Sequence, residues 1–227
     1  MSKQIETYED ASKIIEQLGI LPLSSFIPEH PSLQSLTKDE AWHTDAATDP
    51  WLWRVRLASE GVAAYGRFIA GKPLWVARDI FPVFTCLLRP SETVEERYQA
   101  GLLARSTVHI YELIKDNNGI DVRALRKQAG MQQKSDKNAF DHALIDLQSS
   151  ADIVISGVSK HLNAQGTQSG WNSTCYMLAE DWMSQAGIEP LSLTRAEAKT
   201  QLFKHLAPHW DTNAINYLQK KLEQQIN

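Results

Sequence analysis

Apolar positions recur along the chain with two periods. Ala11, Ile14, Ile15 and Leu18 fall at i, i+3, i+4 and i+7, which predicts a helix over Tyr8–Leu18 closed by Gly19. An extended stretch, residues 20–23, follows with Pro22 inside it. Residues 24–46, interrupted by Pro28 and Pro31, read as a long loop. Asp49 and Pro50 suit the cap and first position of a helix whose apolar face is Trp51, Val55 and Ala58, with Gly61 at its end. Residues 62–69 and 74–77 flank Ala-Gly-Lys-Pro and predict a hairpin, and residues 81–88 form a short apolar helix stopping before Pro90.

The second half repeats the helix period first. Residues 91–115 read as a helical region with Leu102, Leu103, Val108, Ile110, Leu113 and Ile114 as its apolar surface, stopped by Asn117-Asn118-Gly119. Residues 120–130 give a short helix closed by Gly130. Another starts at Ser135, with Ala139, Phe140, Ala143, Leu144 and Leu147 on one stripe. Residues 152–158 and 171–178 read as strands around the turn-rich 164–170; Ile153 and Ile155 point inward and Ser156-Gly157 lie near a bend. Two tail helices, 194–206 and 212–225, are separated by Pro208, and no internal repeat of 20–50 residues is visible.

Helix, short helix, helix and hairpin is the order of a winged helix-turn-helix. The expected fold is therefore α+β and mostly helical, with a winged helix over 99–182. Residues 1–98 form a helix-plus-hairpin region readable as a degenerate second winged helix, and residues 183–227 the C-terminal helices.

Composition narrows the class. The 227 residues are 43% hydrophobic and 22% charged, which excludes disorder, collagen and coiled coil. No apolar run nears the ~20 residues of a membrane span, and the acidic start MSKQIETYED is not a signal peptide, so a cytoplasmic protein is expected. Cys86 and Cys175 have no CxxC spacing and read as reduced, partly buried thiols. The net charge of −4 argues against a strong non-specific nucleic-acid binder. The charge is uneven, however: residues 1–40 carry −4, residues 51–90 carry +4 and residues 121–140 carry +3.

Chemistry-bearing motifs are sparse. Of the seven histidines only His205 and His209 stand at i, i+4, with Pro208 between them and no HExxH, so no metal is expected. There is no GxSxG elbow, kinase signature or P-loop. Gly166 and Gly170 precede no helix and make no phosphate cradle, so no cofactor is expected either. Trp51 and Trp53 are too close to share a helix face; one is expected inside, the other rimmed by Arg54 and Arg56, two further candidates for nucleic-acid contact. Packing is expected as the main role of the tryptophans, with a base-stacking or cation–π platform as the alternative. The candidate recognition helix and its approach carry Arg123, Arg126, Lys134, Lys137 and Asn138, side chains suited to phosphate and adenine. Asp141 and Asp146 would face the same phosphates unfavourably, which keeps a protein-interaction role open.

Three segments carry a resemblance: DPWLWRVRLASEGVAAYGRFIAGKPLWVARDIFP at 49–82, ERYQAGLLAR at 96–105, and AFDHALIDLQSSADIVISGVSKHLNAQGTQSGWNSTCYMLAEDW at 139–182. Through them the chain resembles the AlkZ-related (YcaQ-like) winged-helix proteins, relatives of bacterial glycosylases that excise alkylated bases and unhook crosslinks. The resemblance implies DNA as partner. It also implies a Gln-apolar-Gln or Gln-apolar-Asp motif after the first helix, where this chain reads Ile20-Leu21-Pro22-Leu23. Gln4-Ile5-Glu6 fits the letters but precedes that helix. No catalytic residue carries over. The expected function is nucleic-acid binding without glycosylase activity. The alternatives are base excision by another group, with Glu60, Asp79 and Asp181 as acids in the matching segments, or a scaffold that does not bind DNA.

Overall fold

The structure is a computed structural model that describes residues 4–159 and 172–226. It is α+β and mostly helical. Helix α1 (Tyr8–Leu18), strand β1 (Ile20–Pro22), helices α2 (Leu33–Leu36) and α3 (Pro50–Ser59), and the hairpin β2 (Ala63–Ile69) and β3 (Lys72–Ala77) make the first half. Helices α4 (Phe81–Leu88) and α5 (Val94–Gln99) lead into α6 (Arg105–Asp116), β4 (Ile120–Asp121), α7 (Val122–Gln128), α8 (Lys137–Ser149), β5 (Ile153–Ser159) and β6 (Ser173–Leu178). Helices α9 (Ala179–Gln185), α10 (Arg195–Leu206) and α11 (Thr212–Ile226) close the chain. Helix, short strand, short helix, helix, hairpin thus occurs twice, each time with a 3₁₀ turn before the longer helix. This repeat is spatial and has no counterpart in the residues.

The strands form one antiparallel sheet in the order β1-β3-β2-β5-β6-β4. It consists of two three-stranded sheets joined where Tyr65 of β2 pairs with Ile155 of β5. The register sets Leu21, Trp75, Tyr65, Ile155, Tyr176 and Ile120 side by side in one row, and directly paired residues project to the same face. Helix α3 packs on β2 and β5, and α8 packs on the same two strands. On the opposite face Phe68 meets Phe81 and Phe84 of α4, and Phe81 meets Trp182 of α9 edge-on.

Local chemistry explains most element ends. Thr7 caps α1 by accepting from the Asp10 N–H at 3.1 Å. Gly19 follows at φ 75, and a Cβ there would lie 2.8 Å from Ile80 and 3.0 Å from Leu206. Ile153 and Ile155 are buried, with a register shift between Ile155 and Gly157, as the pattern predicts.

Other expectations need correction. The region 91–115 is two helices, because Gly101 turns at φ 74; Leu102 is left 71% exposed instead of joining the apolar surface. Residues 24–46 contain α2, which Ser32 caps, and the start of 120–130 is a strand. The inner face of α3 is Pro50, Trp53, Leu57 and Ala58; of the expected set only Ala58 is fully inside, and Trp51 and Val55 are half-buried. Ala139 is exposed because the α8 stripe starts at Phe140. The turn 164–170 and Trp171 lie outside the described residues.

Two buried polar features tie distant segments together. Arg97 of α5 bonds Asp152 at 2.7 Å, with both side chains nearly inaccessible, and the Ser150 hydroxyl donates to the same carboxylate at 2.5 Å. Removing one partner strands a buried charge, so Arg97→Ala is expected to cost about 3–5 kcal/mol in urea unfolding. The double change Arg97→Met with Asp152→Leu should recover most of that loss.

The second feature is His30, whose Nε2 donates to the Ile20 carbonyl at 2.9 Å while its ring stacks 3.8 Å from Trp210. Burial holds this imidazole down at about 4, against an ordinary 6.5. Between those values the unfolded chain binds the proton and the fold does not. Stability is therefore expected to fall as pH drops from 6.5 toward 4, by about 3 kcal/mol. His30→Gln should flatten that part of a stability–pH curve measured by urea unfolding.

Candidate nucleic-acid interface

The start of α8 follows from its capping. Asp121 accepts from the N–H groups of Arg123 and Ala124 and opens α7, of which only Leu125 is fully buried. Gly130 ends that helix at φ 66, and Asp136 accepts from the Gln133 N–H at 3.0 Å to close a turn. Helix α8 then begins at Lys137 with Phe140, Ala143, Leu144, Leu147 and Gln148 inside. Lys134, Lys137 and Asn138 are left exposed together at its beginning, and Arg123 is exposed on α7. Arg126 behaves differently from the phosphate-binding role expected of it. Its guanidinium lies 4.9 Å over the Phe140 ring and its Nε donates to the Met131 carbonyl, so it pins α7 to α8.

The two acids on α8 diverge. Asp146 meets Thr107 of α6, and partial burial raises its carboxyl above the usual range. Asp141 lies near Tyr176 on β6, where its charge raises the phenol.

Helix α3 supplies the second group. The Asp49 carboxylate is fully buried and accepts from the N–H groups of His43, Thr44, Asp45 and Trp51 at 2.9–3.1 Å. Trp53 is the inner tryptophan and donates to the Ala47 carbonyl at 2.8 Å. Trp51 is the outer one, with the Arg54 guanidinium 3.7 Å over its ring. Arg56 departs from this arrangement: it covers Tyr8 at 3.8 Å and bonds Glu60 at 2.7 Å. Arg54 and Arg56 therefore serve different places, one facing the sheet and one facing α1.

Sequence reasoning missed what lies between α3 and α8. Tyr65 and Tyr176, two strands apart in the row across the sheet, are both buried, and Tyr65 stacks on Trp75 at 4.9 Å. Burial raises both phenols, Tyr176 to about 12, while Arg54 and Arg67 pull them back down. Arg54 and Arg67 thus converge electrostatically on two neutral hydroxyls. The buried Arg54 Nε finds no acceptor among the described residues. Alternation along β2 does place Tyr65 and Arg67 on one face, but no local pattern says that β5 lies beside them.

The segment that the resemblance singles out is closed. All three residues of β1 are buried, and His30 and Trp210 cap it, Trp210 through a 2.8 Å bond from its Nε1 to the Leu18 carbonyl. Gln4 and Glu6 are exposed, and Glu6 pairs with Lys38 at 2.9 Å. Glu60 accepts from the Tyr8 hydroxyl and from Arg56, which together hold its carboxyl below the usual range. Asp79 is exposed beside Arg78, and Asp181 is half-buried on α9.

Among the described residues no His, Cys, Asp or Glu side chains gather into a metal-binding group, and no helix is long and apolar enough to cross a membrane. No curated protein matches the chain, and no solved structure does. The family model described as AlkZ related matches residues 5–223, from just before α1 to the last turns of α11. With nearly its whole length matched, including both helix–hairpin units and the closed β1 segment, the chain belongs to the AlkZ-related family.

Proposed function

We propose that the chain is a nucleic-acid-binding protein built from two winged helices, which docks duplex DNA on the start of α8 and does not excise bases. One observation carries this reading. Lys134, Lys137 and Asn138 project together from the turn and first residues of α8, and Lys134 and Lys137 have no carboxylate partner among the described residues. Recognition helices enter a groove with their N-terminal residues, where ammonium groups reach phosphates and a carboxamide can read adenine. Turning Asp146 to Thr107 takes one unfavourable charge away from that surface.

The lack of excision follows from β1. Base excision needs a group that holds and polarises water while positive charge builds on the sugar. Leu21 and Pro22 offer none, and they are covered. Glu60 is a poor substitute for holding water, because both of its carboxylate oxygens are already taken, one by the Tyr8 hydroxyl and one by the Arg56 guanidinium. The scaffold reading draws on the net charge of −4 and on Asp141 at the same helix.

Replacing Arg123, Lys134 and Lys137 together by alanine is expected to weaken duplex binding. It should also reduce the slope of log K against log salt by about 0.9 for each phosphate that is no longer neutralised. A wild-type protein that binds no duplex at low salt would establish the scaffold reading instead. Incubating excess protein with an N7-alkylated duplex, followed by cleavage at abasic sites, should give no scission above the no-protein control. Scission that disappears in Glu60→Gln would restore the excision reading.

A further inference from the structure

A cluster of mutually tilted aromatic rings at the start of α3 is not used by duplex docking on α8. The rings of Trp42 and His43 lie 6.4 Å apart and those of His43 and Trp51 4.9 Å apart, with Arg54 against the face of Trp51. None of the four side chains is fully buried. The loop that presents them is organised from below by the Asp49 carboxylate, which binds four backbone N–H groups. His43 and Asp45 are held there in the left-handed region, at φ 61 and 57. Backbone kept in that region by surrounding bonds is a common accompaniment of ligand clamps.

Arg54 adds the charge. Arg56, Arg89 and Arg97 each bond a carboxylate, whereas no described carboxylate pairs with Arg54, and its Nε meets no acceptor. Part of the guanidinium meets the buried Tyr65 hydroxyl, and stacking on Trp51 orients the plane so that an outer N–H can take a phosphate oxygen. Arg67 supplies a second cation near the same two tyrosines.

We propose that His43, Trp51 and Arg54 form a subsite for one unpaired nucleotide, its base stacked on the His43–Trp51 pair and its phosphate bonded to Arg54. A base inside a duplex already has both faces covered by its neighbours, so only an unpaired one can present a face to these rings. Stacking of this kind tolerates any base. The inference rests on the nucleic-acid reading above and adds to it a preference for interrupted over continuous duplex.

The test measures binding of a fully paired labelled duplex and of the same duplex with one bulged adenine, with dAMP as a competitor. The wild type should bind the bulged duplex about fivefold or more tightly, and its tryptophan emission should be quenched by the bulged duplex more than by the paired one. Trp51→Ala and Arg54→Gln should each remove that advantage, bringing the affinities for the two DNAs together; Trp51→Phe, which keeps an aromatic face, should retain most of it. Competition by dAMP would show that a free nucleotide satisfies the subsite, and a bulge preference untouched by dAMP would assign it to nucleotides carried in a strand. Equal wild-type affinity for the two DNAs, or a preference that survives both Trp51→Ala and Arg54→Gln, overturns the subsite and leaves duplex docking intact. Absence of binding to either DNA overturns both. The quenching comparison uses the unaltered protein, so it decides the matter even if a variant folds poorly.

Discussion

The architecture depends on the meeting of β2 and β5. Without the pairing of Tyr65 with Ile155 there would be two small sheets, each with an unpaired inner edge. Joined, they bury those edges against each other and leave only β1 and β4 outside. The outer strands are three and two residues long, and β1 ends in Pro22. Short edges and a missing N–H both discourage pairing with another chain. The junction also lets α3 rest on β5 and α8 on β2, so each long helix is braced by the hairpin of the opposite half. That mutual bracing brings Arg54 and Asp141 near enough to Tyr176 for their opposite charges to act on its hydroxyl.

Apolar β1 and its cover imply each other. His30, Trp210 and Leu206 can close over this segment because nothing in it needs water or a polar partner beyond the backbone. A glutamine at such a position would require an acceptor or a solvent channel, and a buried amide left unmatched costs stability. The loss of polar letters after Gly19 is therefore matched in three dimensions by a docked C-terminal corner. A single substitution in β1 would not reopen it.

What the residues disclosed and what they withheld divide along a physical line. Helix α1 and its closing glycine rest on interactions within a few residues, and the strands of the hairpins and the inward isoleucines of β5 on alternation along one strand, so periodicity finds them. The break at Gly101 was also written locally, but the apolar residues on either side of it masked the stop. The sheet junction, the Tyr65–Tyr176 row and the covering of β1 join residues far apart in sequence, and no local pattern encodes which edges meet. For the candidate site, residue type marked Lys134, Lys137, Asn138 and Arg54 as outward or rim groups. It could not distinguish them from Arg126 and Arg56, which have the same charge but are held by Phe140 and by Tyr8 and Glu60. Only packing separates a cation left facing solvent from one that braces two elements.

The C-terminal helices touch the oldest part of the chain. Trp210 bonds the carbonyl of Leu18, and the Gln225 amide bonds the carbonyls of both Phe68 and Ser149. On a ribosome Leu18 is made 192 residues before Trp210, and Phe68 157 residues before Gln225. The first helix–hairpin unit must wait with β1 uncovered until the segment around Trp210 emerges, and interactions of such long sequence separation form late. The two halves meet through β2 and β5, and α11 adds a second clasp across them, one amide side chain holding a carbonyl of each half. A chain cut before α11 would keep the sheet junction but lose that clasp.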